Sequence, residues 1–153
     1  MRILDIVPPG AILDNLQAGT KEGVLREMSE TIAAGDPSLS AQALTSILME
    51  RESLGSTGIG DGVAIPHGKV PGLARLVAVL GRSRAGVQFH SSDGKPAQLF
   101  FLIVAPEQSA GMHLKVLARI SRLLKDGRFR RELLAARDAE DLRRILKEED
   151  DKS

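Results

Sequence analysis

From Gly55 to His67 the chain reads Gly-Ser-Thr-Gly-Ile-Gly-Asp-Gly-Val-Ala-Ile-Pro-His, and Gly68 follows at once. So many glycines leave a loop of bare backbone that other groups can approach closely. Pro66 fixes its own φ and biases Ile65 towards an extended conformation. The pattern puts one imidazole at the end of a strand beside exposed N–H groups, where a phosphate-sized anion would meet few side chains. An imidazole with an ordinary pKa of about 6.5 is largely neutral near pH 7, and its unprotonated nitrogen can accept a phosphoryl group. The other ring nitrogen must then donate to a carbonyl or a side chain, which fixes the tautomer. The competing reading is a strand entering a glycine-rich turn in which His67 only fills space.

Two further residues have the right chemistry. His113 begins a helical stripe continued by Leu117, Ile120 and Leu124, so it is either a satisfied core histidine or an anion partner in the first turn of a helix. Arg51 closes a helix just before the glycine loop. It is either an ordinary C-terminal cation or a guanidinium fork for phosphoryl oxygens. Glu52, next to it, is free to pair with Arg51 or to face solvent. Ser56 and Thr57 can offer hydroxyls to an anion or bond only to their own loop. Asp61 and His90 read as turn residues. Gly62 to Lys69 superficially suggests a phosphate-binding P-loop, but five residues separate the two glycines and Val70 follows the lysine, so the motif fails. No histidine–carboxylate spacing of metal-binding type occurs.

The elements that must carry these residues follow from periodicity. Thr20 caps a helix with Val24, Leu25, Met28 and Ile32 on its apolar face, and Gly35 stops it. Ser40 caps a second helix that runs to Arg51. Strand-like runs occur at 63–65, 76–80, 87–89 and 99–104, with Ile12-Leu13 as an opening edge segment. Leu99 to Val104 is apolar at every position, which predicts a central strand covered on both faces. Helices are expected over 110–125, about 129–135 and 138–147, with Asp138 as N-cap, before a charged and frayed tail over 148–153. Helices on both sides of a run of strands predict an α+β fold in three α/β/α layers, with a mixed sheet of about four or five strands.

Composition narrows the function. The 153 residues suit one domain, long enough to bury roughly two-thirds of its unfolded surface. With 42% hydrophobic residues but no Trp, no Tyr and four Phe, the core must be aliphatic. A formal charge of +1, from 21 basic and 20 acidic residues, gives no electrostatic case for nucleic acid or for an anionic membrane surface. The absence of cysteine excludes disulfides, thiolate metal sites and a cysteine nucleophile. No stretch reads as a signal peptide or a membrane span, so the expected location is the cytoplasm.

The stretch Arg51-Glu-Ser-Leu-Gly-Ser-Thr-Gly-Ile-Gly-Asp-Gly-Val-Ala-Ile-Pro-His-Gly-Lys69 resembles the active-site segment of EIIA components of the bacterial phosphoenolpyruvate-dependent phosphotransferase system. Within them it is similar to the fructose/mannitol-type superfamily, and its Pro-His-Gly-Lys ending is most like the nitrogen-regulatory branch. The likeness continues through Asp93-Gly-Lys-Pro, Leu99–Val104 and His113 to Lys125, so a single EIIA domain is expected over 1–147. The resemblance implies a phosphocarrier, a phosphotransferase-system component in which His67 takes a phosphoryl group from an HPr-like carrier. Arg51 and His113 would stabilise that group, and Ser56, Thr57 and Gly68 would support it from the loop. No cofactor, metal, nucleic acid or membrane insertion is expected. Regulatory targets such as potassium transporters or sensor kinases would read the phosphorylation state at a surface around Ile59 and Val63. Two rivals stand beside this: a stand-alone sugar-transport EIIA, and a non-covalent anion or nucleotide sensor. With no cysteine, the chain itself cannot supply the cysteine carrier that EIIB uses, which favours regulation.

Overall fold

The computed structural model describes residues 2–152. Its organising element is β6 (Ala97–Pro106), in which every residue from Leu99 to Ala105 is fully buried. β5 (Val77–Val87) pairs antiparallel to it on one side, and β1 (Ile12–Leu13) extends the sheet parallel to β5. On the other side two consecutive short strands, β3 (Val63–Ala64) and β4 (His67–Val70), both run parallel to β6. β2 (Gly58–Gly60) adds antiparallel to β3. The sheet is therefore mixed and six-stranded.

A strand that is apolar all along needs cover on both faces, and neighbouring residues on the strands show what supplies it. At Gly68 an added Cβ would lie 3.0 Å from Ile47 of α2 (Ala41–Ser53), and at Gly81 it would lie 3.2 Å from Met28 of α1 (Lys21–Gly35). Successive strand residues point to opposite faces, so His67 and Arg82 face the other layer. That layer contains α3 (Ala110–Leu124), α4 (Gly127–Ala135) and α5 (Ala139–Asp151). The expected α/β/α arrangement holds. The expected caps form as well: Thr20, Ser40 and Asp138 accept N–H groups of Gly23, Ala43 and Asp141 at 3.1, 3.2 and 2.8 Å.

Three expectations change. The sheet has six strands rather than four or five, because the glycine-rich β2 and the short β4, which carries Lys69, lack the β-branched pattern that marks a strand. The segments expected separately at 76–80 and 87–89 join into one 11-residue strand that ends at Val87. Its polar middle is held by Arg82, which is buried and donates from Nε to Asp14 O at 2.9 Å. From Nη1 it donates to Leu133 O and Ala136 O at 2.9 and 2.6 Å. The guanidinium thus satisfies the closing carbonyls of α4, where a helix favours positive charge.

Residues 148–151 of the tail expected to be frayed are helical, and Ser153 lies outside the described residues. Helix α5 continues to Asp151, and Asp150 is buried, 2.6 Å from Arg119 of α3. Its second carboxylate oxygen accepts the Leu4 N–H at 3.1 Å. Replacing Asp150 by Ala removes the partner of a largely buried guanidinium and of a backbone N–H, so it should lower stability by about 2–3 kcal/mol. Chemical denaturation of the two proteins would measure this, and a loss within error of zero would mean that the terminal turn is not coupled to the core.

Candidate functional site

β3 and β4 lie end to end along one edge of β6, separated by Ile65 and Pro66. The Ile65 N–H donates to Thr57 O at 3.0 Å, and Pro66 O accepts the Ile103 N–H at 2.9 Å. Both residues are buried, so the direction of the Ile65 carbonyl is fixed from two sides. That carbonyl is 2.8 Å from Nδ1 of His67. A carbonyl only accepts, so Nδ1 carries the proton and Nε2 keeps its lone pair. His67 thus opens β4 rather than closing a strand, and its free nitrogen belongs to a half-buried ring at the sheet edge.

There the two helical layers meet across a cavity of about 620 Å³. From α2 come Ile47, Glu50 and Arg51, with Leu54 just beyond; from α3 come Ala110, His113, Leu114 and Leu117; His67, Gly68 and Lys69 of β4 line it between them. The rings of His67 and His113 meet edge to face, with centroids 5.4 Å apart and planes at 79°. His113 is buried in the first turn of α3, its N–H bonded to Ser109 O at 2.9 Å. Its Nε2 has no hydrogen-bond partner among the described residues. Arg51 donates from Nη1 to Gly55 O at 3.0 Å, which holds its side chain over the start of the glycine loop. His67, His113, Arg51 and Gly68, far apart in sequence, therefore share one cavity.

Ser56 and Thr57 do not join them. The Ser56 hydroxyl donates to Phe89 O at 2.6 Å and accepts the Gly58 N–H at 3.0 Å. Thr57 is buried, and its hydroxyl donates to Glu52. Both hydroxyls hold the loop onto the fold instead of lining the cavity. Glu52 neither pairs with Arg51 nor faces solvent: it is buried, accepts the Thr57 N–H at 3.1 Å and lies 2.9 Å from Lys21 Nζ. Of the two residues expected at a docking surface, only Ile59 is exposed. Val63 is core, and Ile59, though exposed, lies outside the cavity wall. The apolar rim consists instead of Leu54, 82% exposed, and Leu114, 67% exposed. A signal for Leu114 was present: it falls out of phase with the stripe through His113 and Ile120. Asp61, in a turn at φ 56°, and His90, in the irregular segment after β5 at φ 55°, are exposed and do not line the cavity. Among the described residues no three His, Asp or Glu side chains gather as metal ligands.

Burial holds the His67 imidazole below its ordinary value, opposed by the bond to Ile65 and assisted by the positive charge of Arg51. His113 is lowered by burial too, and then by His67 and Lys69. Both rings are therefore largely neutral near pH 7, the state in which an imidazole nitrogen keeps its lone pair.

The family model described as "Phosphoenolpyruvate-dependent sugar phosphotransferase system, EIIA 2" matches residues 5–149. The chain belongs to this family. It is 42% identical over 146 residues to a nitrogen regulatory protein of Bradyrhizobium diazoefficiens, covering 95% of each. It is 35% identical over 150 residues to the fructose-specific EIIABC component of Bacillus subtilis, covering 98% of this chain and 24% of that one. The crystal structure of nitrogen regulatory protein IIA-Ntr from Neisseria meningitidis superposes with a TM-score of 0.87 at 35% identity, over 93% of this chain and 97% of that one. No helix among the described residues is long and apolar enough to cross a membrane.

The lowered imidazoles set a pH dependence. In the window from the folded pKa values up to 6.5, the unfolded chain binds more protons than the folded one. Stability should therefore fall as pH drops below about 6.5 and should not change through these groups above it. Thermal melts between about pH 7.5 and 5.5 should show a shallower slope for a His67→Gln/His113→Gln double variant than for the wild type. Equal slopes would mean that the rings are not held neutral by the fold.

Proposed function

We propose that this protein is a cytoplasmic phosphocarrier in which Nε2 of His67 accepts a phosphoryl group from a phosphohistidine of an HPr-like protein. The observation that carries the reading is the Nδ1–H···O=C bond to Ile65, which leaves Nε2 as a lone pair in a cavity shared with Arg51 and His113. In the transfer, the bond from phosphorus to the donor nitrogen breaks and its electron pair returns to the donor ring. The Nε2–P bond forms, and the proton on Nδ1 stays there. The Ile65 carbonyl stabilises the positive charge that the His67 ring gains. The phosphoryl charge, spread over three oxygens, meets the Arg51 fork and His113, whose buried Nε2 has no other partner among the described residues.

We read the role as regulatory. The 42% identity is to a nitrogen regulatory protein, and the chain has no cysteine with which to pass the group on within itself. Targets such as potassium transport proteins or sensor kinases would then distinguish the two forms, because phosphorylation brings close to two negative charges to the rim formed by Leu54 and Leu114. The 35% identity to a fructose-specific component keeps sugar transport as the second reading. It predicts transfer onward to an EIIB thiol, which an assay with isolated EIIB domains would detect.

Incubation with phosphoenolpyruvate, enzyme I and an HPr-like carrier should add one acid-labile phosphoryl group by mass spectrometry. His67→Ala should add none; if it adds one, the nucleophile lies elsewhere. Arg51→Lys keeps the charge but loses the bidentate fork, and should slow transfer by about ten-fold or more with little change in melting temperature. His113→Ala should still be phosphorylated, more slowly. Wild-type rates in both variants would leave His67 without these partners.

A further inference from the structure

One cation of the cavity has no part in the reading above. Lys69 lies two residues after His67 on β4, in register with Ala105 as His67 is with Ile103, so both side chains leave the same face of the strand. Their Cα atoms are about 7 Å apart along it. Lys69 lines the cavity, is exposed, and carries a flexible stem ending in a point charge. Among the described residues it enters no salt bridge, whereas Lys21, Arg119, Arg128 and Arg144 all do. Glu50 and Glu107 line the same cavity, and neither lies within ion-pair distance of it. Lys69 is also near enough to His113 for its charge to oppose protonation of that ring. An ammonium in the same cavity as two imidazoles, near enough to His113 to act on it and without a carboxylate of its own, sits where an incoming dianion would find it. Arg51 approaches that position from the α2 side and His113 from the α3 side, while Lys69 approaches from the strand.

We propose that Lys69 is a third partner of the phosphoryl group, its ammonium moving onto the phosphoryl oxygens as they arrive on Nε2 of His67 and remaining with them in the phosphorylated protein. This rests on the assignment of His67 as the nucleophile. Its consequence is that phosphorylation withdraws the free cation of the rim as well as adding negative charge there.

The test uses two donors. The HPr-like carrier must dock on the rim. Phosphoramidate transfers its phosphoryl group to histidine without docking: its P–N bond breaks, ammonia leaves and the Nε2–P bond forms. Initial rates are compared for the wild type, Lys69→Gln and Lys69→Arg, with thermal melts to confirm that all three are folded alike. Lys69→Gln should be slower with both donors by a similar factor of about ten, since an exposed ammonium is worth less than the roughly hundred-fold typical of a buried oxyanion donor. Lys69→Arg should stay near the wild type. If Lys69→Gln is slow with the carrier alone, Lys69 is a docking contact and the proposal falls; wild-type rates with both donors overturn it equally. If the wild type itself takes a phosphoryl group from neither donor, the His67 assignment fails first and takes this one with it.

Discussion

The direction of one carbonyl group governs the chemistry proposed for this molecule. If Ile65 C=O pointed elsewhere, the proton of His67 could sit on either nitrogen, and Nε2 would be a donor for part of the time. The carbonyl is held because its peptide is trapped between two strands that share one partner. β3 stops at Ala64, β4 begins at His67, and both are registered on β6, Val63 opposite Leu99 and His67 opposite Ile103. Pro66 has no N–H to give and contributes only its carbonyl, to Ile103. The bond that sets the tautomer is thus a consequence of strand register, and the register follows from the burial of an unbroken apolar strand.

Much of this was legible in the sequence because the signals were local. Thr20, Ser40 and Asp138 announce their helices with side chains that reach only three residues ahead. Leu99 to Val104 announces a central strand because nothing in it tolerates water. The grouping of His67, Arg51 and His113 came from the resemblance of the motif, since no spacing along the chain brings α3 to β4.

What was not legible depends on partners distant in sequence. The Ser56 hydroxyl is committed by Phe89, thirty-three residues away, and that cannot be read from the loop. Arg82 reads as a break in a strand, yet it lies in the core because the end of α4 presents carbonyls to it. Asp150 reads as one more acid in a charged tail. It is buried because Arg119 and the Leu4 N–H meet at that point. In each case the place of a polar side chain is decided by a tertiary partner and not by its residue type.

The same rule explains the charge layout at the end of α2. Arg51 and Glu52 are adjacent and opposite in sign, and on a helix adjacent residues do not face each other. Arg51 turns to the cavity, whereas Glu52 turns inward, where two bonds from Thr57 and the ammonium of Lys21 satisfy it. Lys21 in turn lies over the ring of Phe89, 4.7 Å from its centre. In the proposed transfer, a carboxylate left beside Arg51 would compete with phosphoryl oxygens for the guanidinium and repel them from His67. Burying Glu52 under the glycine loop keeps this one carboxylate out of a cavity that Glu50 and Glu107 already line, and anchors the loop with the same bonds. The buried ion pair therefore shapes the site by what it keeps out of the cavity.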